Sequence, residues 1–153
     1  MKSLYSFIVK PQEERYDNIR QVGGNNLIIN TSIEDHRFIS KKAVVVSTPA
    51  AYATKINIGD ELYVHHNIFR RWYDQKGNER NSSTYFKDDL YFVSPEQIYM
   101  YNLKPHLDYC FVKPLKNQSV LENRKEQPNV GILKYSNKTL EALGITPGTL
   151  ITF

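Results

Sequence analysis

Four groupings in this sequence have residue types that could do chemistry. His65-His66 offers two imidazoles, common metal ligands and proton carriers near neutral pH. Neighbouring residues of a strand face opposite sides, so an adjacent pair there suits no common metal site. Cys110 is the single cysteine. It excludes an intramolecular disulfide, fits a reducing cytosol, and is expected to be a small buried hydrophobe within a strand. No Ser/His/Asp or Cys/His arrangement can be assigned around it. Gly23-Gly24 could begin a phosphate loop, but the Lys-Ser/Thr that completes one does not follow. Arg70-Arg71-Trp72-Tyr73 interleaves guanidinium groups with aromatic rings, as single-stranded nucleic-acid binders do. A solvated hairpin with one ring turned inward accounts for the same residues. The expectation is no catalytic residue, no metal and no cofactor.

That leaves binding, and the stretch suited to it is Tyr16 to Lys42. Leu27-Ile28-Ile29 is a compact apolar triplet inside a long polar segment. Two glycines and two asparagines, residue types that tolerate positive φ, precede it. One reading is a short buried strand after a turn. The other is a mobile loop, about residues 16–40, with Gly23 and Gly24 as its hinge and the triplet docking into a partner's groove.

The elements that must carry this segment are mostly strands. Leu4 to Val9 is rich in aromatic and β-branched residues and is followed by Pro11. Ala43-Val44-Val45-Val46 reads as a buried strand. Ile56 to Asp60 is a turn, and Glu61 to His65 alternates. Ile68–Tyr73 and Ser83–Phe86 flank a glycine-containing loop, which predicts a hairpin over 68–87. Leu90–Val93 and Ile98–Tyr101 are two more strands around a Ser94-Pro95-Glu96-Gln97 turn. Only Lys138–Leu143 looks helical. Many short strands with regular turn signals predict an all-β barrel or sandwich.

Composition agrees with a soluble domain: 153 residues, 41% hydrophobic and 24% charged. The sequence has no apolar run long enough to span a membrane and no basic-then-apolar leader pattern at its start, so a cytoplasmic location is expected. Residues 1–103 carry 13 Lys+Arg against 12 Asp+Glu, or +1, and residues 104–153 carry 7 against 4, or +3. Neither part has a dense basic block, which disfavours nucleic acid as a partner.

The chain also repeats itself. Leu4…Val9-Lys10-Pro11 returns as Leu107…Val112-Lys113-Pro114, 103 positions later. Lys42-Ala43-Val44 returns in kind as Gly131-Ile132-Leu133, Ile56-Asn57-Ile58-Gly59 as Ile145-Thr146-Pro147-Gly148, and Leu62-Tyr63-Val64 as Ile151-Thr152-Phe153, all 89 positions later. The difference falls between Pro114 and Gly131, where the first copy has its long polar segment. A second copy that keeps the strands and drops the segment favours the mobile-loop reading over the buried strand. Residues 1–103 and 104–153 are read as two domains, the second a shortened repeat without the loop, with strands at Leu107–Val112 and Ile132–Tyr135.

In this order the layout resembles the small co-chaperonins of the GroES-like family, over about residues 4–102. The resemblance rests on Val9-Lys10-Pro11 ending the first strand and on Gly23-Gly24 before an apolar triplet. It rests also on Lys42 to Val46, on Ile58-Gly59-Asp60-Glu61-Leu62-Tyr63-Val64, and on Phe92-Val93-Ser94-Pro95-Glu96-Gln97-Ile98. It implies a small β-barrel that assembles as a homo-oligomeric ring, sevenfold in the family. Such a ring caps an ATP-driven GroEL-like chaperonin over an unfolded client protein, without an enzymatic activity of its own. Leu27, Ile28 and Ile29 would bind chaperonin, with the triplet placed to within about two residues. Tyr5, Phe7 and Val9 of the first strand would pair with Ile98, Tyr99 and Met100 of a neighbouring subunit. Asn25-Asn26 separate the glycines from the triplet, the link over Ser47–Lys55 is too short for the family's roof, and the hairpin is longer. These departures look more like a bacteriophage co-chaperonin than a cellular one. Two other readings stand beside it: a nucleic-acid-binding small barrel using Arg70–Tyr73, and a phage structural or adaptor module.

Overall fold

Four strands of the first part share one habit: every second side chain is buried. In the computed structural model, which describes residues 2–17, 19–28, 35–116 and 126–153, Lys42–Ser47 buries Ala43, Val45 and Ser47, while Val46 is exposed. Glu61–Val64 buries Leu62 and Val64; Leu90–Val93 buries Tyr91 and Val93; Ile98–Tyr101 buries Ile98 and Met100. Phe7–Pro11 buries all but Lys10. Such alternation places one apolar face of a sheet on a core.

The chain divides into two compact units, residues 1–102 and 103–153. The first contains β1 (Phe7–Pro11), β2 (Ile19–Val22), β3 (Asn25–Ile28), β4 (Lys42–Ser47), β5 (Glu61–Val64), β6 (Arg71–Tyr73), β7 (Glu79–Asn81), β8 (Tyr85–Lys87), β9 (Leu90–Val93) and β10 (Ile98–Tyr101). Its main sheet runs β10-β5-β4-β1-β9-β8, with each of these pairs antiparallel. Three-ten turns at His66–Ile68 and Pro95–Gln97 link its strands. Ile68 and Phe69 join Phe7, Val9, Tyr16, Ile39, Val45, Ile56, Leu62, Tyr91 and Ile98 in one buried cluster. Phe69 meets Tyr91 edge to face, ring centres 4.9 Å apart.

The protein is mostly β, as expected, but the described strands form open sheets rather than a closed barrel. Three local expectations need correction. The hairpin is shorter than residues 68–87: β6 pairs with β7, Ile68 lies in a three-ten turn, and β8 leaves to pair with β9 around Asp88-Asp89. The first strand begins at Phe7 and includes Pro11, with Leu4 and Tyr5 exposed before it. It is also not an edge: β1 lies between β4 and β9.

The last point bears on assembly. Phe7, Val9, Ile98 and Met100 are each at most 4% exposed inside their own unit. Their side chains are spent within that core, and β1 already has a strand partner on each side. Of the six residues assigned to an interface, Tyr5 is exposed and Tyr99 half-buried. Deleting residues 1–9 is therefore expected to unfold the first unit rather than release folded monomers. Circular dichroism with size-exclusion chromatography checks this, and a folded truncated monomer would refute it.

The second unit holds β11 (Lys104–Pro105), β12 (Phe111–Lys116), β13 (Glu126–Tyr135), β14 (Leu150–Thr152) and the short helix α1 (Lys138–Ala142). The Asn137 side chain caps the helix by accepting from the Leu140 N–H at 2.8 Å. The first strand is displaced from the expected Leu107–Val112: Leu107 has a positive φ and Cys110 is half-buried just before β12, not within a strand.

The sheet β12-β13-β14 reproduces β1-β4-β5 in detail. Val9 opposes Val45 and Pro11 opposes Ala43; likewise Val112 opposes Leu133 and Pro114 opposes Gly131. Both pairs carry an irregularity at the same place, Ile8/Val9 and Phe111/Val112. The Val45 N–H donates to the Asp60 carbonyl and its own carbonyl accepts from Gly59; Leu133 does the same with Thr149 and Gly148. Ala43 thus corresponds to Gly131, one residue from the match that the sequence suggests. A shift of one residue exchanges the faces of a strand, so the packing selects this register.

Gly131 is the tighter of the two. A Cβ there would sit 2.4 Å from Val112 Cγ1 and 2.7 Å from the Lys113 carbonyl oxygen. Gly131→Ala is expected to destabilise the second unit by about 1–3 kcal/mol through overpacking. Faster exchange of the Leu133 amide, with that of Val45 unchanged, is the measurement.

Candidate functional site

The polar segment starts from a clamp. Tyr16 pairs with Ile39 as an isolated antiparallel bridge, and both are buried. The Asp17 N–H donates to the Phe38 carbonyl at 2.8 Å and the Ser40 N–H to that of Arg15 at 2.9 Å. Residues 16, 39 and 40 therefore belong to the stem, which narrows the loop from about 16–40 to 17–38.

Side chains tie the stem to the root of the β6–β7 hairpin. The Tyr16 hydroxyl accepts from the Arg71 N–H at 2.8 Å, and the Arg71 guanidinium lies 4.6 Å from the Tyr16 ring centre. Arg15 donates to Asn81 Oδ1 at 3.0 Å and to the Phe69 carbonyl at 3.1 Å, and lies over the Tyr91 ring. Burial and the Asp89 carboxylate, which accepts from its hydroxyl, raise the Tyr91 phenol well above its usual range.

Beyond the stem, β2 and β3 form a hairpin turning on Gly23-Gly24. Their φ values are +58° and +85°, the paired positive angles of a primed two-residue turn, which glycine adopts without strain. The glycines thus form a turn of defined geometry. Ile19 opposes Ile28, Arg20 opposes Leu27, and Val22 opposes Asn25. Leu27 and Ile28 are 55% and 60% exposed. The structure brings a strand and exposure together, so neither sequence reading holds whole: the apolar residues are on a strand, and that strand is not buried. Ile29 lies outside the described residues.

Ile19 and Val22 are exposed as well, at 45% and 60%, and were not singled out by sequence. They lie on the strand before the glycines, so a search for one run of apolar residues passes over them. Two short segments around Gly-Gly are the hairpin signal that would have placed them. In the register, Ile19 with Ile28 occupies one face, and Leu27 with Val22 the other.

Two exposed ion pairs flank the hairpin. Arg20 meets Asp17 at 2.7 Å, and Arg37 meets Asp35 at 2.7 Å. Hydrogen bonds from Arg37 pull the Asp35 carboxyl down to about 2.

The Arg70–Tyr73 stretch is spent largely on internal contacts. Arg71 pairs with Glu79 at 2.9 Å and Arg80 with Asp74 at 3.0 Å, so carboxylates offset these two cations of the hairpin. Trp72 and Tyr73 are exposed. The histidines also depart from the strand reading. His65 ends its extended run as the cap of a three-ten turn that His66 begins, so their rings stack, 4.3 Å between centres. Among the described residues no group of three His, Cys, Asp or Glu could hold a metal ion. No described helix is long and apolar enough to cross a membrane.

No protein-family model, curated protein or solved structure was found to match this chain.

Proposed function

We propose that this protein is a co-chaperonin of the GroES-like kind, of the bacteriophage type, that docks its loop hairpin on a GroEL-like chaperonin. The observation that carries the reading is the hairpin itself. Four apolar side chains, Ile19, Val22, Leu27 and Ile28, stand 45–60% exposed on a loop whose stem is locked into the core. A two-stranded hairpin alone in water is marginally stable, and apolar groups on both of its faces gain from a groove that covers them.

Burying each such side chain is worth roughly 1.5–3 kcal/mol before ordering costs. One hairpin therefore binds weakly and reversibly. A ring, sevenfold in the resembling family, offers several hairpins at once and makes each later contact effectively intramolecular. Release follows the partner's nucleotide state, so the chain needs no catalytic residue while the chaperonin encloses its client in the host cytoplasm. With Phe7, Val9, Ile98 and Met100 committed to the core, the subunit contact falls to exposed neighbours such as Leu4 and Tyr5.

The test is capture on purified bacterial chaperonin with and without ATP. Nucleotide-dependent retention is the expected result. No retention under either condition would defeat the proposal.

A further inference from the structure

All three histidines of the first unit meet at the foot of the loop. His36 comes from the turn 35–38, where the Phe38 N–H donates to the Asp35 carbonyl at 3.1 Å. Its ring centre lies 5.6 Å from that of His66, which stacks in turn on His65. The charged groups that face His66 are His65, His36, Lys41 from the strand-ward side of the loop, and Arg70 beyond the three-ten turn. Tyr99 of β10 approaches His65 edge-on at 6.0 Å. Beside His36 in sequence, Asp35 and Arg37 are bound to each other at 3.0 and 2.7 Å.

We infer that this histidine cluster is an acid-released latch: when it is protonated, the returning arm of the loop, residues 35–38, leaves the three-ten turn. Protonating His66 places a cation against the His65 and His36 rings and beside Lys41 and Arg70. The His65 ring is fixed there by its Nδ1, which accepts the Asn67 N–H at 3.1 Å and caps the turn.

Burial, followed by His65, His36, Lys41 and Arg70, lowers the His66 pKa below 6.5. A group whose pKa falls on closure binds protons better when open. The latch is thus fully closed above pH 6.5 and lost as the pH falls towards the depressed value. The Tyr16–Ile39 bridge and the bond from the Ser40 N–H to the Arg15 carbonyl lie outside the arm, so they hold while it opens.

The experiment is amide exchange on the full chain at about pH 7.5 and about pH 5.5, corrected for intrinsic rates. The Asp17 amide, which donates to the Phe38 carbonyl of the arm at 2.8 Å, should lose protection in acid, about tenfold for each unit by which closure lowers the His66 pKa. The Val45 amide, bound within the main sheet, should keep its protection. His36→Gln removes an exposed ring and should make Asp17 protection insensitive to pH; His66→Gln should do the same. The latch is overturned by a parent whose Asp17 protection does not change with pH, by an acid loss that persists in His36→Gln, or by an equal loss at Val45. The readout does not involve chaperonin, so it stands or falls apart from the proposed function.

Discussion

Replacing both Leu27 and Ile28 by alanine should abolish capture of a chaperonin ring and leave the thermal midpoint almost unmoved. Both halves follow from exposure. The two side chains are 55% and 60% exposed, so little apolar contact is lost when they are shortened in the free protein. Surface changes of this kind usually stay within about 0.5 kcal/mol, a shift of only a few degrees at most. On a partner the same atoms would be covered, and each truncation forfeits roughly 1–3 kcal/mol per site. Repeated round a ring, even part of that loss ends stable capping. Ile19→Ala with Val22→Ala should weaken capture in the same direction, since those residues share the hairpin's two faces. A melting curve beside a pull-down decides it. A large fall in melting temperature would mean that the hairpin is part of the core, and full capture would mean that it is not the docking element.

Tyr16→Ala should be the most costly single change near the site, at about 3–5 kcal/mol, measured by urea unfolding. The ring is 7% exposed, faces the Arg71 guanidinium, and stands opposite Ile39 where the loop's two stems meet. Removing it leaves a cavity and frees both stems. Tyr16→Phe isolates the hydroxyl: the ring remains, and the part-buried Arg71 N–H loses its acceptor. That change should cost about 1–3 kcal/mol, less wherever water can reach the donor. In the alanine variant the Asp17 amide, which donates to Phe38, should exchange faster even under native conditions. A cost below about 1 kcal/mol would show that the clamp does not hold the loop.

What the sequence determined by itself was local. Short apolar runs marked β4, β9 and β10, and period-two alternation marked β5, where the pleat sends successive side chains to opposite faces. The Lys138–Leu143 stretch marked a helix, and the recurrence of Val-Lys-Pro and of the glycine turns marked a second, shortened copy of the strands. Each signal lies within a few residues of what it specifies. Tertiary structure decided the rest, since those outcomes depend on which distant segments meet. Nothing within Phe7–Val9 tells an edge strand from a central one; β4 on one side and β9 on the other make it central. The one-residue shift that sets Gly131 opposite Pro114 comes from packing between strands. The apolar residues of the loop looked like one triplet until Ile19 and Val22 came back across the hairpin to join them. His65 and His66 would point apart along a strand; the three-ten turn stacks them and brings His36 within 5.6 Å from thirty residues away. Tyr16 read as the first residue of a free loop, and its contacts with Ile39 and Arg71 make it the anchor that holds the loop in place.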